Sequence, residues 1–177
     1  MARARSSDRT ARRAHRTVLK LGAARHAHPR PVLSLTVQYA ARGADLPARP
    51  LLRRWVSAAM LGSMRVTLRF VDTAEGRALN RDYRRKDAPT NVLAFVYDDV
   101  SGGDIVLCAP VIRHEAREQK KAFGVHCAHL VVHGMLHLQG YDHHRRSDAA
   151  RMEAKEIAVL SALGFADPYA AAGSLRS

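Results

Sequence analysis

The chain has few of the features that mark disulfide-rich, membrane or repeat proteins. It contains only two cysteines, Cys108 and Cys127, in 177 residues, which is too few for a disulfide framework. We therefore expect both to be buried thiols. No apolar run approaches the about 20 residues that cross a bilayer, so we expect no membrane partner. No internal repeat is visible, and the length and the apolar content of 47% favour a single domain with its own core.

Acidic residues are scarce relative to basic ones. The chain has 16 Asp and Glu against 29 Lys and Arg, a net charge of +13 and a pI of about 10.8. An excess of this size favours polyanionic partners, with nucleic acid first. Residues 1–31 hold nine of the basic residues and one acid, Asp8, which leaves +5 for residues 32–177. The composition of residues 1–31 resembles an organellar transit peptide, and it equally fits a disordered basic extension or a start codon placed too early.

Hydrophobic periodicity predicts four strands and five helices. The strands are predicted near residues 33–40, 65–72, 92–97 and 104–108, and the helices near 50–61, 73–84, 110–121, 125–138 and 148–163. Gly102 and Gly103 are predicted to form the turn of a hairpin between the third and fourth strands, and Ser147 or Asp148 to cap the last helix. Because the last three helices follow the strands, the pattern favours an α+β domain with one mixed four-stranded sheet.

The most informative segment runs from His133 to His143 and reads HGMLHLQGYDH. On a helix, His133 and His137 lie on one face. Gly140 can then end the helix in a left-handed conformation, so that His143 approaches from the opposite side. Three neutral imidazoles with one open position are typical of a catalytic zinc site, although nickel, cobalt or iron could take the same ligands.

The same spacing occurs in a zinc-protease signature, but Gly134 stands where that signature has its catalytic glutamate. A zinc-bound water loses its proton near neutral pH, so a hydrolase can act without that base. We expect Gly134 to leave room beside the metal. Residues 80–86 supply a basic turn whose arginines suit a phosphate, or simply a solvated helix end. His129 could orient a ligand, contact the substrate or pack at the core edge, and Asp142 could accept a hydrogen bond from an imidazole or face solvent.

This histidine segment resembles the signature of the YbeY family, the bacterial single-strand-specific endoribonucleases of ribosomal RNA maturation. The similarity extends over about residues 34–170 and departs from the usual serine and proline at Ala94 and Val96. It is carried outside the histidine segment by Phe70-Val71-Asp72, Leu79-Asn80, Tyr83-Arg84, Lys86-Asp87, Pro89-Thr90-Asn91-Val92-Leu93, Gly103-Asp104-Ile105-Val106 and Asp167-Pro168-Tyr169.

The resemblance implies a metal-dependent endoribonuclease domain over residues 32–170, followed by a tail at 171–177. It implies one Zn²⁺ per chain, held by His133, His137 and His143, with Arg84 as the catalytic residue in the groove. It further implies processing of the 3′ end of 16S ribosomal RNA and ribosome quality control in the cytoplasm. The expected partners are single-stranded RNA and the ribosome or its small-subunit proteins.

Two alternatives remain at this point. One is a non-catalytic ribosome-assembly factor that binds RNA and carries a structural zinc, which an open fourth position argues against. The other is a zinc peptidase, which the glycine at position 134 argues against. The cleavage site and the choice between water and the ribose 2′-hydroxyl as nucleophile stay open.

Overall fold

Each predicted strand and helix is present in the computed structural model, which describes residues 31–98 and 101–170. Residues 1–30, which make up all but the last residue of the predicted extension at 1–31, and residues 171–177, the predicted tail, lie outside the described residues. The elements are β1 (Leu33–Tyr39), α1 (Arg49–Ala59), β2 (Met64–Val71), α2 (Thr73–Arg84), β3 (Val92–Val96), β4 (Gly102–Cys108), α3 (Ala109–Glu118), α4 (Phe123–His137) and α5 (Arg146–Ala162).

The four strands form one mixed sheet in the order β1-β2-β4-β3. Strands β1, β2 and β4 are parallel neighbours, and β3 pairs with β4 in the antiparallel direction. Parallel neighbours need a crossover connection, and α1 supplies it between β1 and β2. The prediction of an α+β domain with a mixed four-stranded sheet and five helices is confirmed.

Strand alternation divides the buried side chains between the two faces of the sheet. Leu68 and Phe70 of β2 and Ile105 and Leu107 of β4 belong to the main core, together with residues of α1 and α4. The opposite face carries a smaller cluster made of Val71, Leu93, Val106 and Cys108, with Leu79 of α2 packed against it. Helix α4 is buried on most of its circumference, as expected for a helix in the middle of a domain.

The prediction of a turn at Gly102 and Gly103 is wrong, because both glycines lie inside β4. A Cβ atom on Gly102 would come within 1.8 Å of the Arg65 carbonyl oxygen, and one on Gly103 within 2.0 Å of the Phe95 carbonyl oxygen. The two residues are glycines because neighbouring strands approach them closely. From the sequence alone, two consecutive glycines required by close strand packing cannot be distinguished from two glycines required by a turn.

The predicted cap of the last helix is also wrong. Helix α5 begins at Arg146, one residue earlier than Ser147, and no side chain caps it. By contrast Asp72 does cap α2, since its carboxylate accepts a hydrogen bond of 2.9 Å from the backbone N–H of Glu75.

The two cysteines are buried and form no disulfide, as predicted. Burial raises the pKa of the Cys127 thiol to about 12, so the group is inert at neutral pH. Within the part of the chain that the structure describes, no helix combines the length and the apolar character needed to cross a membrane.

Candidate metal centre

The three histidines of the predicted site come together at the C-terminal end of α4. His133 and His137 lie one turn apart on the helix, which ends at His137. Gly140 then takes a left-handed conformation with φ of 83°, and the backbone N–H of Tyr141 bonds back to the carbonyl of Leu136 at 3.1 Å. The chain therefore reverses as predicted, and His143 faces the helix across the site.

The geometry of the three rings suits a metal ion. One nitrogen atom from each ring lies within 4.8 Å of the corresponding atoms of the other two rings, and Nε2 of His133 is 3.1 Å from Nε2 of His137. Two nitrogens each about 2.0–2.1 Å from a tetrahedral zinc lie roughly 3.3 Å apart. An all-imidazole donor set at this separation fits a transition metal.

The environment of His137 keeps its ring neutral. Burial and the neighbouring rings of His133 and His143 together lower the pKa of His137 to about 4. The ring is therefore uncharged at neutral pH, which is the state that a metal ligand must have.

A cavity of about 210 Å³ opens beside the three histidines. The end of α2 forms part of its wall through Arg84, and the segment that leads into β3 forms another part. Besides the histidines, it is lined by Arg84, Thr90, Asn91, Val92, Ala94 and Gly134. Arg84 and the histidine triad, which are 49 or more residues apart in sequence, therefore share one cavity.

The wall containing Arg84 is held by two local features. Arg85 adopts a left-handed conformation and ends α2. The amide of the buried Asn80 donates a hydrogen bond of 2.7 Å to the carbonyl of Ala88, and this bond ties the following loop to the helix. Arg84 thus lies at a fixed helix end.

Arg84 differs from the other arginines of its helix in its ion pairs. Arg77 pairs with Asp87 at 2.6 Å and Arg81 with Asp82 at 3.0 Å. No carboxylate among the residues of the two described segments forms a salt bridge with Arg84. Its guanidinium is available for an anion in the cavity.

Gly134 does not leave the room that we expected from the sequence. A Cβ atom there would come within 2.9 Å of Cγ2 of Ile105 on β4. The space into which a side chain at position 134 would point is filled by Ile105, so the glycine is needed for the close approach of α4 to β4. A glutamate could not replace it without displacing core atoms.

The structure adds one residue that the sequence analysis missed. Glu156 of α5 has a fully buried side chain, and its Oε1 lies 2.7 Å from Nδ1 of the ligand candidate His133. Burial alone would raise the pKa of this carboxyl, but hydrogen bonds from His129, His133 and Tyr169 outweigh burial and lower the pKa to about 2. The available signal was a carboxylate on the apolar face of a predicted helix.

The two residues considered for ligand orientation lie in different surroundings. Nε2 of His129 is 3.3 Å from Oε2 of Glu156. Among the described residues, His129 forms no hydrogen bond with a histidine of the triad. Asp142 accepts a hydrogen bond of 2.7 Å from the backbone N–H of His143 and lies 3.5 Å from Nε2 of His144. Asp142 thus contacts the backbone of a ligand candidate rather than its ring.

Comparisons with known proteins point to one family. The family described as Endoribonuclease YbeY matches residues 48–164. The endoribonuclease YbeY of Herminiimonas arsenicoxydans is 54% identical over 148 residues, covering 77% of this chain and 95% of that protein. The one from Nitrosomonas europaea is 55% identical over 139 residues, covering 77% and 85%. A solution structure from Thermotoga maritima matches with a TM-score of 0.51 and 27% identity, covering 73% of this chain and 91% of that one.

Proposed function

The chain belongs to the family of the endoribonuclease YbeY, and on that premise we propose that it cuts single-stranded RNA at one zinc ion held by His133, His137 and His143. That it is an endoribonuclease of ribosomal RNA processing follows from the membership. The membership favours an enzyme over the non-catalytic alternative and over a zinc peptidase. The identity of the metal and the roles of individual residues are the parts that we propose.

The three imidazoles are assigned as the metal ligands because one nitrogen from each ring lies within 4.8 Å of the other two. When bound, the ion supplies a Lewis acid that can activate water or polarise a phosphate oxygen. The protein contributes a neutral His137, a fixed turn at Gly140 and a cavity of about 210 Å³. Zinc is the proposed metal because three histidines and an open position are its usual catalytic arrangement.

Arg84 is assigned as the residue that binds the scissile phosphate. Arg84 lines the cavity of the triad, and its guanidinium is not engaged by a salt bridge in residues 31–98 and 101–170. A planar guanidinium can donate two parallel hydrogen bonds to phosphate oxygens. It can also stabilise the charge that accumulates as the phosphodiester bond is attacked.

An exposed aromatic ring at the residue that precedes Arg84 in the sequence supports a single-stranded substrate. Tyr83 is 67% exposed, and its ring packs edge-on against Phe95 with the ring centroids 4.8 Å apart. Proteins recognise single-stranded RNA by stacking unpaired bases on such rings. Tyr83 and Phe95 line a different groove from the cavity of the triad. An unpaired base that stacks on Tyr83 would therefore belong to a nucleotide away from the scissile phosphate, and a paired base could not stack there.

The finer biological role is proposed from the family and from charge. The positive charge of the chain favours a polyanion such as ribosomal RNA. We propose that the substrate is the 3′ end region of 16S ribosomal RNA, that the protein takes part in ribosome quality control, and that it acts in the cytoplasm with the ribosome or its small-subunit proteins. The nuclease domain of this proposal spans residues 32–170.

The observation that carries the proposal is the shared cavity of Arg84 and the histidine triad. We would test it by cleavage of a single-stranded ribosomal RNA fragment by the wild type and by His133→Ala, with and without a chelator. Arg81→Ala is the control, because Arg81 lies on the helix of Arg84 but pairs with Asp82 and does not line the cavity. We expect cleavage by the wild type and the control only, and loss of cleavage in chelator.

Equal cleavage by all three proteins would reveal a contaminating nuclease and reject the proposed site.

The stacking role of Tyr83 is tested separately with Tyr83→Phe and Tyr83→Ala. We expect Tyr83→Phe to keep the wild-type KM and Tyr83→Ala to raise it roughly 10-fold, since stacking contributes about 1–3 kcal/mol per base. Equal KM values for the two variants would reject the stacking role.

A further inference from the structure

Glu156 is the one carboxylate of α5 that lies in the core of the described residues. Its side chain has no exposed surface, and its neighbours on the buried face of the helix are Met152, Val159 and Leu160. Burying a carboxylate without partners is strongly unfavourable. The position must therefore be explained by the groups that the carboxylate contacts.

Three side chains converge on this carboxylate. Nδ1 of His133 lies 2.7 Å from Oε1, and Nε2 of His129 lies 3.3 Å from Oε2. The hydroxyl of Tyr169 donates a hydrogen bond to Oε2 and lies 3.4 Å from Nε2 of His129. No lysine or arginine of residues 31–98 and 101–170 forms a salt bridge with Glu156, so its partners are two imidazoles and a phenol.

The contact with His133 has a direction. When the carboxylate accepts a hydrogen bond from Nδ1–H, the lone pair of that ring is on Nε2. Nε2 is the atom 3.1 Å from Nε2 of His137, on the side of the cavity. The hydrogen bond thus selects the tautomer in which His133 can bind a metal.

We propose that Glu156 is a positioning residue of the metal centre, which orients His133, and that Tyr169 and His129 hold Glu156 in place. This inference rests on the proposed metal site. It also assigns a role to the segment after α5, because Tyr169 lies beyond the end of that helix at Ala162. The C-terminal part of the domain would then contribute to metal affinity without touching the metal.

The test measures metal affinity rather than cleavage. Zinc affinity would be determined by competition with a chelator for the full-length wild type, Glu156→Gln, Tyr169→Phe and the control Glu153→Gln. Glu153 lies on the same helix and is exposed, so the control removes a charge without touching the site. We expect 10–100-fold weaker zinc binding by Glu156→Gln, about 3-fold weaker binding by Tyr169→Phe, which removes one hydrogen bond, and no change in the control.

A second readout separates positioning from simple support of the fold. We expect the visible absorption of the cobalt-loaded protein to shift in Glu156→Gln and to stay unchanged in Glu153→Gln, because cobalt absorption reports ligand geometry. A folded Glu156→Gln with wild-type zinc affinity and an unchanged cobalt spectrum would overturn the inference. A wild type that binds neither metal would instead overturn the proposed metal site.

A third measurement needs no variant and applies even if Glu156→Gln does not fold. Long-range proton–nitrogen NMR of the metal-free wild type reports which ring nitrogen of each histidine carries the proton. We expect His133 to be protonated at Nδ1 and not at Nε2. Protonation of neutral His133 at Nε2 would overturn the inference.

Discussion

Helix α4 carries carboxylate–imidazole contacts near both of its ends, and the first and the last of them differ in what lies on the other side of the ring. Near the start of the helix, Nε2 of His126 is 2.8 Å from Oε2 of Glu115 on α3. Near its end, Nδ1 of His133 is 2.7 Å from Oε1 of Glu156 on α5. His126 is 4% exposed and enclosed by the core, whereas His133 opens onto the cavity of about 210 Å³.

The first contact is part of a structural link. Glu115 also accepts hydrogen bonds from the amide of Asn91 at 3.0 and 3.1 Å. Through Asn91, which directly precedes β3, the carboxylate joins α3 and α4 to the edge of the sheet. A carboxylate–imidazole contact thus joins secondary-structure elements at one end of α4, and a contact of the same kind orients a ligand candidate at the other end. The difference lies in the access of the second ring nitrogen to the cavity.

The largest expected effect is the loss of the metal at the C-terminal end of α4. His137→Ala removes one of three imidazoles, and we expect the metal to be lost and cleavage to fall at least about 10³-fold, since a Lewis acid contributes several kcal/mol. His126→Ala should keep its metal. The measurement is metal content of the purified variants, followed by cleavage of single-stranded RNA. Metal loss from both variants would contradict the distinction between the two contacts.

The next prediction separates the role of Arg84 in binding the phosphate from the role of the histidines in binding the metal. Arg84→Ala should lower kcat/KM roughly 100-fold, because it removes a charge that stabilises the transition state. Its metal content should stay at the wild-type level, since Arg84 is not a ligand. Steady-state cleavage rates and metal analysis on one preparation give both values. A loss of metal together with activity would show that Arg84 acts through the fold.

A smaller effect tests the structural contact itself. His126→Ala leaves Glu115 without its buried partner, and we expect the free energy of unfolding to fall by about 2 kcal/mol. Denaturant unfolding of the metal-free protein measures this loss. His114→Ala is the control, because His114 also contacts a carboxylate, Glu118 at 3.4 Å, but both of these side chains are exposed. Equal stability of His126→Ala and the control would mean that the link does not stabilise the domain.

The smallest expected effect concerns the basic residues just outside the cavity. Arg85 and Lys86 are exposed and follow Arg84, so they are placed to contact phosphates beside the scissile one. Arg85→Ala and Lys86→Ala should each weaken RNA binding a few-fold and reduce the slope of log K against log salt by about 1. Binding isotherms at several salt concentrations test this. Slopes equal to the wild type would exclude both residues from the interface.

The sequence predicted the metal end of α4 better than its structural end. The spacing of His133, His137 and His143 with Gly140 is local, because a helix and one turn set all four positions. The fold class followed from strand and helix periodicity for a similar reason. Arg84, by contrast, was associated with the histidines only through the family resemblance, since no local pattern brings α2 to α4.

The residues that the sequence did not reveal depend on contacts between distant elements. Glu156 lies on an apolar helix face, where periodicity predicts a core residue and cannot show that two imidazoles and Tyr169 satisfy its charge. Gly102 and Gly103 looked like a turn because their real cause, the close approach of Arg65 and Phe95, belongs to other strands. Such positions need the tertiary structure before their chemistry can be understood.

The contact between Gly134 and Ile105 has a consequence for attempts to redesign this site. Introducing the protease glutamate by Gly134→Glu would force a side chain into the space that Ile105 occupies. Overpacking of this kind usually lowers the free energy of unfolding by about 1–3 kcal/mol. A second substitution that shortens Ile105 would be needed at the same time, and it would remove a core residue. The nuclease and the peptidase are therefore separated by at least two coupled changes, and neither change alone is expected to yield a functional peptidase.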